Sequence, residues 1–223
     1  MLLGGGLLSF LSAAQNSGVF LGVNAGVPIT TPTYGGGLAV IKQALPSNGI
    51  GYAVGVDLGY KQALSKNMGL KYYLEYNYSK SKGKKEGSSI QLINKVDANI
   101  TADLLTLNID YYFNPVDLFG IYVGIGVGYQ SFKPTWDYVG MGNTTGSVGG
   151  KTKGGLAVPL NVGVTFNISD GNQILLGAKI PLVAYDYKTE IPAVFSGGAA
   201  TSMAPANVKL KNYIVQVGYN YTF

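Results

Sequence analysis

The chain has 223 residues, the size of a single domain, and 47% of them are hydrophobic while only 12% carry charge. Soluble domains carry charge on about 25% of their residues, so lipid or extensive burial must cover much of this surface. Cysteine, histidine and arginine are absent, and the formal net charge is +5. These absences exclude disulfides, thiolate metal sites, histidine-based acid–base catalysis and bidentate anion recognition by arginine.

The N-terminal residues 1–14 form an apolar run in which Ser12 and Ala14 have the small-residue spacing of a signal-peptidase site. We predict a signal peptide over 1–14 with cleavage before Gln15, followed by one domain over 15–223. The alternative is an internal first strand or plug, because the basic segment typical of signal peptides does not precede the run.

Eight segments follow in which large apolar side chains alternate with glycine or polar residues. Successive side chains of a β-strand point to opposite faces, so each segment would have one apolar and one polar face. The segments are 19–27, 50–60, 70–78, 105–113, 121–129, 156–168, 174–182 and 215–223. No apolar run is long enough for a transmembrane helix, which favours strands that cross a membrane as a closed barrel.

Long and short connections alternate between these segments, and the long ones cover 28–48, 80–99, 131–154 and 183–209. All four long loops would therefore lie at one end. This is the organisation of an all-β, eight-stranded antiparallel transmembrane β-barrel with long external loops and short periplasmic turns. A soluble lipocalin-like barrel is the alternative, but its outward faces would need more charge than this chain has.

The polar faces of the strands would point into the lumen and carry three acids and three lysines. These residues are Asp57, Lys61, Lys71, Glu75, Asp110 and Lys179. Eight strands enclose only enough space for side chains to fill, so we expect paired charges that close and stiffen the barrel. A narrow pore for small solutes or ions is the alternative. Gly124, Gly126 and Gly128 would either receive large side chains or leave a water-filled path.

Four lysines, Lys80, Lys82, Lys84 and Lys85, lie in the predicted loop 80–99 and account for much of the positive charge. Such a loop is either a solvated tip or a site that attracts anionic lipopolysaccharide or a host polyanion by point-charge contacts. Because the charge is concentrated in one loop, no nucleic-acid partner is predicted. The loop 183–209 is the most apolar of the four, which indicates a partner or packing between loops.

Several short motifs occur together within 49–223. They are Gly59-Tyr60-Lys61-Gln62, Gly69-Leu70-Lys71-Tyr72-Tyr73, Thr101-Ala102-Asp103-Leu104-Leu105, Leu160-Asn161-Val162-Gly163-Val164, Leu176-Gly177-Ala178-Lys179-Ile180-Pro181 and the terminal Phe223. In combination they resemble the Hop-type family of Helicobacter outer-membrane proteins. The resemblance implies an outer-membrane barrel, with adhesins, porins and proteins of unassigned surface roles as relatives. Large adhesins of the family carry a domain after the first strand, where this chain has only 28–48.

The pattern and the resemblance together predict a non-enzymatic protein of the cell outer membrane that displays external loops. Its partners would be outer-membrane lipid, lipopolysaccharide, and a host surface or extracellular ligand at the loops. An adhesin that acts through its external loops is the alternative. The family and barrel class imply that Val217, Tyr219, Tyr221 and Phe223 present the closing strand to the barrel assembly machinery. No cofactor or metal is expected, and a barrel hydrolase would have to work without histidine.

Overall fold

The computed structural model describes residues 17–87, 93–169, 171–192 and 203–223. The predicted signal peptide over 1–14 lies outside the described residues. No helix within the described ranges is long and apolar enough to cross a membrane.

Eleven strands form one antiparallel sheet in the described part of the chain, and the last strand pairs with the first to close a ring. The strands are β1 (Gly18–Gly36), β2 (Gly49–Ser65), β3 (Met68–Glu86), β4 (Ile93–Val116), β5 (Phe119–Gly140), β6 (Thr145–Gly149), β7 (Lys153–Ala157), β8 (Pro159–Ser169), β9 (Asn172–Pro181), β10 (Tyr185–Pro192) and β11 (Met203–Thr222). Short 3-10 helices cover Gly37–Ala39, Lys42–Ala44 and Met141–Asn143.

The eleven strands make eight wall strands. β7 and β8 pair with β5 in one continuous register, with Leu156 opposite Tyr129 and Leu160 opposite Ile125. β6 continues this wall strand farther along β5, and β9 and β10 follow one another along β11. The prediction of an eight-stranded antiparallel barrel is therefore confirmed.

A band of outward-facing apolar side chains encircles the barrel over the half of its height that is nearer the short turns. Leu107 is 64% exposed and Val23 is 52% exposed, although both are apolar. Tyrosines such as Tyr129 and Tyr219 lie towards the borders of the band, as expected where a bilayer meets its headgroups. Short connections such as the one between β2 and β3 lie at one end, here called the turn end. The opposite end is called the loop end.

The polarity of the wall reverses towards the loop end without any change in strand parity. On β4, outward-facing Leu105 and Leu107 give way to outward-facing Asn99 and Thr101. Beyond a polar layer that includes Ser81 and Thr30, the inward-facing side chains are mostly apolar, and most of the apolar ones belong to one buried cluster, which we call the extension core. Its members are Leu38, Ile41, Ala44, Leu45, Ile93, Val96, Ala98, Ile100, Ala102, Phe132, Trp136, Tyr187, Ile191, Ala206, Val208 and Leu210. The barrel therefore continues beyond the lipid band as an ordinary water-facing β-structure.

The predicted long loops are wrong over most of their length because the strands extend into them. β3 continues to Glu86 and β4 begins at Ile93, so most of 80–99 is strand. Strand residues likewise occupy much of 28–48, 131–154 and 183–209. The prediction used an outward apolar stripe to recognise strands, and that stripe stops where the lipid band stops.

Candidate functional site

The centre of the lumen contains a buried ion pair between Lys179 on β9 and Glu75 on β3. Their side chains are 4% and 1% exposed. Lys179 also donates a hydrogen bond to Oδ1 of Asn161 at 2.9 Å. Charges at this depth are costly unless they are paired and hydrogen-bonded. Each residue here has its counter-ion and Lys179 has a further hydrogen bond, whereas Oε1 of Glu75 has no hydrogen-bond partner among the described residues.

Asp110 on β4 extends the same network towards its neighbours. It accepts hydrogen bonds from the Tyr73 hydroxyl at 2.7 Å and from Nδ2 of Asn161 at 3.0 Å. Asn161 therefore connects the carboxylate of Asp110 to the ammonium of Lys179. The result is one continuous polar network that spans the barrel from β4 to β9.

Asp57 and Lys71 bind neutral amides instead of forming an ion pair with each other. Asp57 accepts a hydrogen bond from Nδ2 of Asn24 at 3.3 Å, and Lys71 donates to Oε1 of Gln173. The Lys71 ammonium also lies 5.7 Å from the centre of the Phe20 ring, within the range of a cation–π contact. These side chains attach β1, β2, β3 and β9 to one another across the lumen.

Lys61 lies apart from this network, at the turn end. Its ammonium is 5.3 Å from the centre of the Tyr112 ring. Of the six lumenal charges named from the sequence, five lie in or beside the central network, and Lys61 instead faces an aromatic ring.

Glycines on the lumenal faces make room for large side chains. A side chain on Gly177 would overlap the Tyr122 hydroxyl, and one on Gly163 would lie 2.6 Å from it. Gly124 and Gly126 similarly lie against the side chains of Asp110 and Asn108. Large and polar side chains thus occupy the volume that the glycines release, as one of the two alternatives from the sequence expected.

The cavity beside Glu75, Tyr122 and Lys179 measures about 20 Å³. That volume accommodates roughly one water molecule. Oε1 of Glu75, Oε1 of Gln216 and Oδ1 of Asn220 belong to residues that line this cavity, and these atoms have no hydrogen-bond partner among the described residues. A water molecule in the cavity would therefore find unpaired acceptors in its lining.

All four predicted anion-contacting lysines lie on strand β3, not in a loop. Lys80, Lys82 and Lys84 share the outward face of β3 beyond the lipid band, two residues apart, and the stripe continues directly from Tyr78. Lys80 is opposite Thr101 on β4, and Thr101 is opposite Lys133 on β5, so Lys133 lies in the same row. We call Lys80, Lys82, Lys84 and Lys133 the lysine ladder.

Lys85 does not belong to the ladder, because it has the opposite parity and lies near the rim. Lys84 forms an exposed ion pair with Glu86 at 2.6 Å. The hydrogen bond from Lys84 to the Glu86 carboxylate raises the pKa of Lys84, so its ammonium stays charged in neutral solution. Lys80, Lys82 and Lys133 are in no ion pair among those that the described residues form.

The residues predicted to present the closing strand share the outward face of β11. Tyr219 and Tyr221 lie opposite Val23 and Leu21 on β1. The backbone N–H of Phe223 donates to the carbonyl of Val19 at 2.9 Å, and its ring packs edge-on against Tyr221. Phe223 is nonetheless 74% exposed, so its side chain is accessible at the turn end.

Sequence reasoning missed Tyr122 and Gln173 as lumenal residues. Tyr122 alternates with the lipid-facing Ile121 and Val123 on β5, so strand parity alone would have assigned it to the lumen. The contact of Gln173 with Lys71 had no such signal, because the two residues are 102 positions apart and meet across the barrel.

Comparisons with known proteins identify a family and several similar structures. The chain matches the family described as Helicobacter outer membrane protein over residues 55–223. No curated protein sequence matches the chain significantly.

Among solved structures, Neisserial surface protein A is 12% identical, with 94% of this chain and 100% of that chain covered and a TM-score of 0.48. The outer membrane protein OprG from Pseudomonas aeruginosa is 13% identical, with 92% and 97% covered and a TM-score of 0.49. The outer membrane protease OmpT from Escherichia coli is 9% identical, with 96% and 99% covered and a TM-score of 0.45.

The family match extends over most of the closed barrel, including the lipid band, the lumenal network and the closing strand. The chain is thus a β-barrel of the outer membrane and belongs to the Helicobacter outer membrane protein family.

Proposed function

We propose that this barrel is a non-enzymatic surface protein whose lumen is closed and whose lysine ladder binds the anionic headgroups of lipopolysaccharide. The turn end of an outer-membrane barrel faces the periplasm, so the loop end and its extension are extracellular. The single observation that carries the proposal is the position of Lys80, two residues beyond Tyr78 on the same outward face.

This position matches the layering of the outer leaflet. Interfacial tyrosines mark the level of the headgroups, and a strand rises by about 3.4 Å per residue, so Lys80 lies roughly 7 Å farther out than Tyr78. The phosphates and carboxylates of lipopolysaccharide occupy this layer. The same order recurs on β11, where outward-facing Tyr213 is followed by Lys211 and Lys209.

The distribution of charge along the chain supports the same reading. The lumenal acids and lysines balance, and the lysines at the loop end outnumber the acids there. The lysines are Lys42, Lys80, Lys82, Lys84, Lys85, Lys95, Lys133, Lys151, Lys153, Lys188, Lys209 and Lys211, and the acids are Glu86, Asp97, Asp103, Asp137, Asp186 and Glu190. The positive excess of the whole chain is therefore extracellular, where it faces an anionic leaflet.

The test is lipopolysaccharide binding by the refolded barrel, measured over a range of NaCl concentrations. Replacing Lys80, Lys82 and Lys133 with glutamine should weaken binding by roughly 100-fold at low salt, at about 1 kcal/mol per lysine. The salt dependence should become shallower as well, because fewer point-charge contacts remain to be screened.

The matched control replaces Lys42, Lys66 and Lys85 with glutamine, which removes the same charge away from the ladder. This control should bind nearly as well as the wild type. Equal weakening in both triple variants would show that net charge alone matters. Unchanged binding in the ladder variant would contradict the proposal.

The closed lumen is supported by the packing of Tyr73 and Tyr122 around the Glu75–Lys179 pair. We expect no stepwise conductance from the folded barrel in planar bilayers, and Glu75→Ala should introduce leak by removing part of the packed network. Steady conductance by the wild type would instead favour the narrow pore.

A further inference from the structure

The barrel wall loses its backbone hydrogen bonds along one line at the loop end. Pro159 on β8 lies directly opposite Pro181 on β9, and proline has no N–H to donate to a ladder. One further backbone bond, from Leu182 N–H to the carbonyl of Val158 at 2.9 Å, ends the pairing. Beyond it, within the described residues, β6 and β7 pair only with β5, and β10 pairs only with β11. We call the line between β6–β7 and β10 the seam.

Side chains bridge the seam where the ladder is missing. The Tyr187 hydroxyl donates to the carbonyl of Lys151 at 2.9 Å, and the Lys153 ammonium donates to the carbonyl of Lys188 at 2.6 Å. Each such hydrogen bond contributes only about 1 kcal/mol net, so the two edges separate more easily than laddered strands. A groove of about 620 Å³ lies along the seam, between residues of β6–β7 and of β10.

Tyr185 covers the foot of the seam. A side chain on Gly155 would lie 3.1 Å from the Tyr185 ring, so the ring occupies the space that this glycine leaves across the seam. On the interior side, the ring of Phe132 stacks on the ring of Tyr185, with centroids 5.7 Å apart and an interplanar angle of 18°. Phe132 is 1% exposed and belongs to the extension core. One aromatic ring therefore separates the apolar interior from the outside of the wall.

A cavity of about 20 Å³ lies in the wall on the other side of Phe132, the stacking partner of Tyr185. Its lining includes Ala102 and Phe132 from the interior and Val158 and Val183 from the outer wall. Lys179, the buried partner of Glu75, forms its floor. The charged network blocks an apolar molecule from continuing along the lumen, whereas the route past Val158 and Val183 leads to the lipid band.

We propose that the seam is a lateral gate, with Tyr185 as its movable side chain, through which small apolar molecules pass between the extension and the outer leaflet. The apolar extension core selects the class of molecule, and the polar part of the cavity lining, formed by Asp103, Gln130, Asn212 and the Lys179 floor, directs it sideways. This activity goes beyond lipopolysaccharide binding, because neither the route nor its lining includes the lysine ladder.

Uptake of N-phenylnaphthylamine, which fluoresces in bilayers, tests the gate in intact cells with a lipopolysaccharide outer leaflet. Tyr185→Ala should raise the protein-dependent uptake rate roughly fivefold, the rate equivalent of losing one aromatic stacking contact. Tyr78→Ala removes a tyrosine at a similar height from fully laddered wall and should leave the rate unchanged. An equal rise in both variants, or none in Tyr185→Ala, would overturn the proposal.

Cross-linking provides a second readout that does not depend on the aromatic ring. The chain has no cysteine, so Gly155→Cys with Tyr185→Cys creates a single pair across the seam. A short thiol-to-thiol cross-linker should lower uptake to the level of cells without the protein. The control pair Leu160→Cys with Ile180→Cys, directly opposite each other in the intact ladder, should show no such loss. Undiminished uptake by the cross-linked seam variant would contradict the gate, and a heat-dependent gel shift identifies the variants that have folded.

Discussion

Lys179 and Glu75 form an ion pair whose two side chains are 4% and 1% exposed, although they belong to strands on opposite sides of the lumen. Desolvation of two charges costs several kcal/mol per ion, and their attraction offsets that cost only when the geometry and additional hydrogen bonds are good. The stability of the barrel wall should therefore depend on this contact between two side chains inside the lumen.

Removing one partner of this pair should destabilise the barrel strongly. Glu75→Gln leaves the Lys179 ammonium buried without its counter-ion, which costs about 3–5 kcal/mol. The double variant Glu75→Gln, Lys179→Gln should be more stable than the sum of the two single effects predicts. Urea unfolding in lipid vesicles measures all three free energies.

The exposed pair between Lys84 and Glu86 serves as the comparison, since both side chains are 57% exposed. Lys84→Gln should leave the unfolding free energy nearly unchanged, because water already screens that pair. Additive effects of the two lumenal substitutions would show that Lys179 and Glu75 are not energetically coupled.

The lipid-facing half of the fold could be predicted from the sequence, and the extension could not. Leu105 and Leu107 alternate with polar residues, as a strand in a bilayer must. Farther along the same strand, Ile100 and Ala102 alternate with polar residues too, but with the apolar side facing inwards. A prediction that follows only the outward apolar face therefore ends the strand at the lipid border. The strand itself continues there, and only the surroundings of its outer face change from lipid to water.

The sequence indicates which residues face the lumen, but it does not indicate which of them contact each other. Strand parity assigned Glu75 and Lys179 to the interior, because a two-residue period determines the face. Which of them meet depends on how the strands are staggered around the ring, and no local pattern records the stagger. Asn161, which joins Lys179 to Asp110, gains its central position only from that stagger.

The glycines opposite Tyr122 should be intolerant of even a methyl group. Gly177→Ala would place a methyl group onto the Tyr122 hydroxyl, and overpacking of this kind costs about 1–3 kcal/mol. Tyr122→Phe removes the clashing oxygen and should recover part of the loss. Thermal unfolding of the single and double variants checks this compensation.

Gly218→Ala is the matched control, because the nearest atom to its added methyl group would be 3.3 Å away. It should be tolerated far better than Gly177→Ala. If Tyr122→Phe gives no recovery, the backbone of Val162, which also lies close to Gly177, is the dominant clash.

The reversal of wall polarity predicts that one substitution has different effects on the same strand face. Leu107→Lys places an ammonium near the middle of the lipid band and should cost about 2–4 kcal/mol. Asn99→Lys places the same group on the same face of β4 but beyond the band, and it should be nearly neutral. Unfolding free energies in vesicles provide the measurement, and equal costs at the two positions would show that the lipid border has been misplaced.

The exposed ring of Phe223 predicts an effect on assembly that is separate from stability. The ring is 74% exposed, so Phe223→Ala removes little packing and should change the unfolding free energy by less than about 0.5 kcal/mol. If the barrel assembly machinery recognises this ring, the amount of heat-modifiable barrel in outer membranes should nevertheless fall severalfold. Leu21→Ala, at a lipid-facing position opposite Tyr221, is the control and should assemble normally. Spontaneous refolding into vesicles separates the two roles, because no assembly machinery is present there. Slow refolding of Phe223→Ala in vesicles would assign the residue to closure of the strand ring itself, and normal refolding with poor assembly in cells would assign it to recognition.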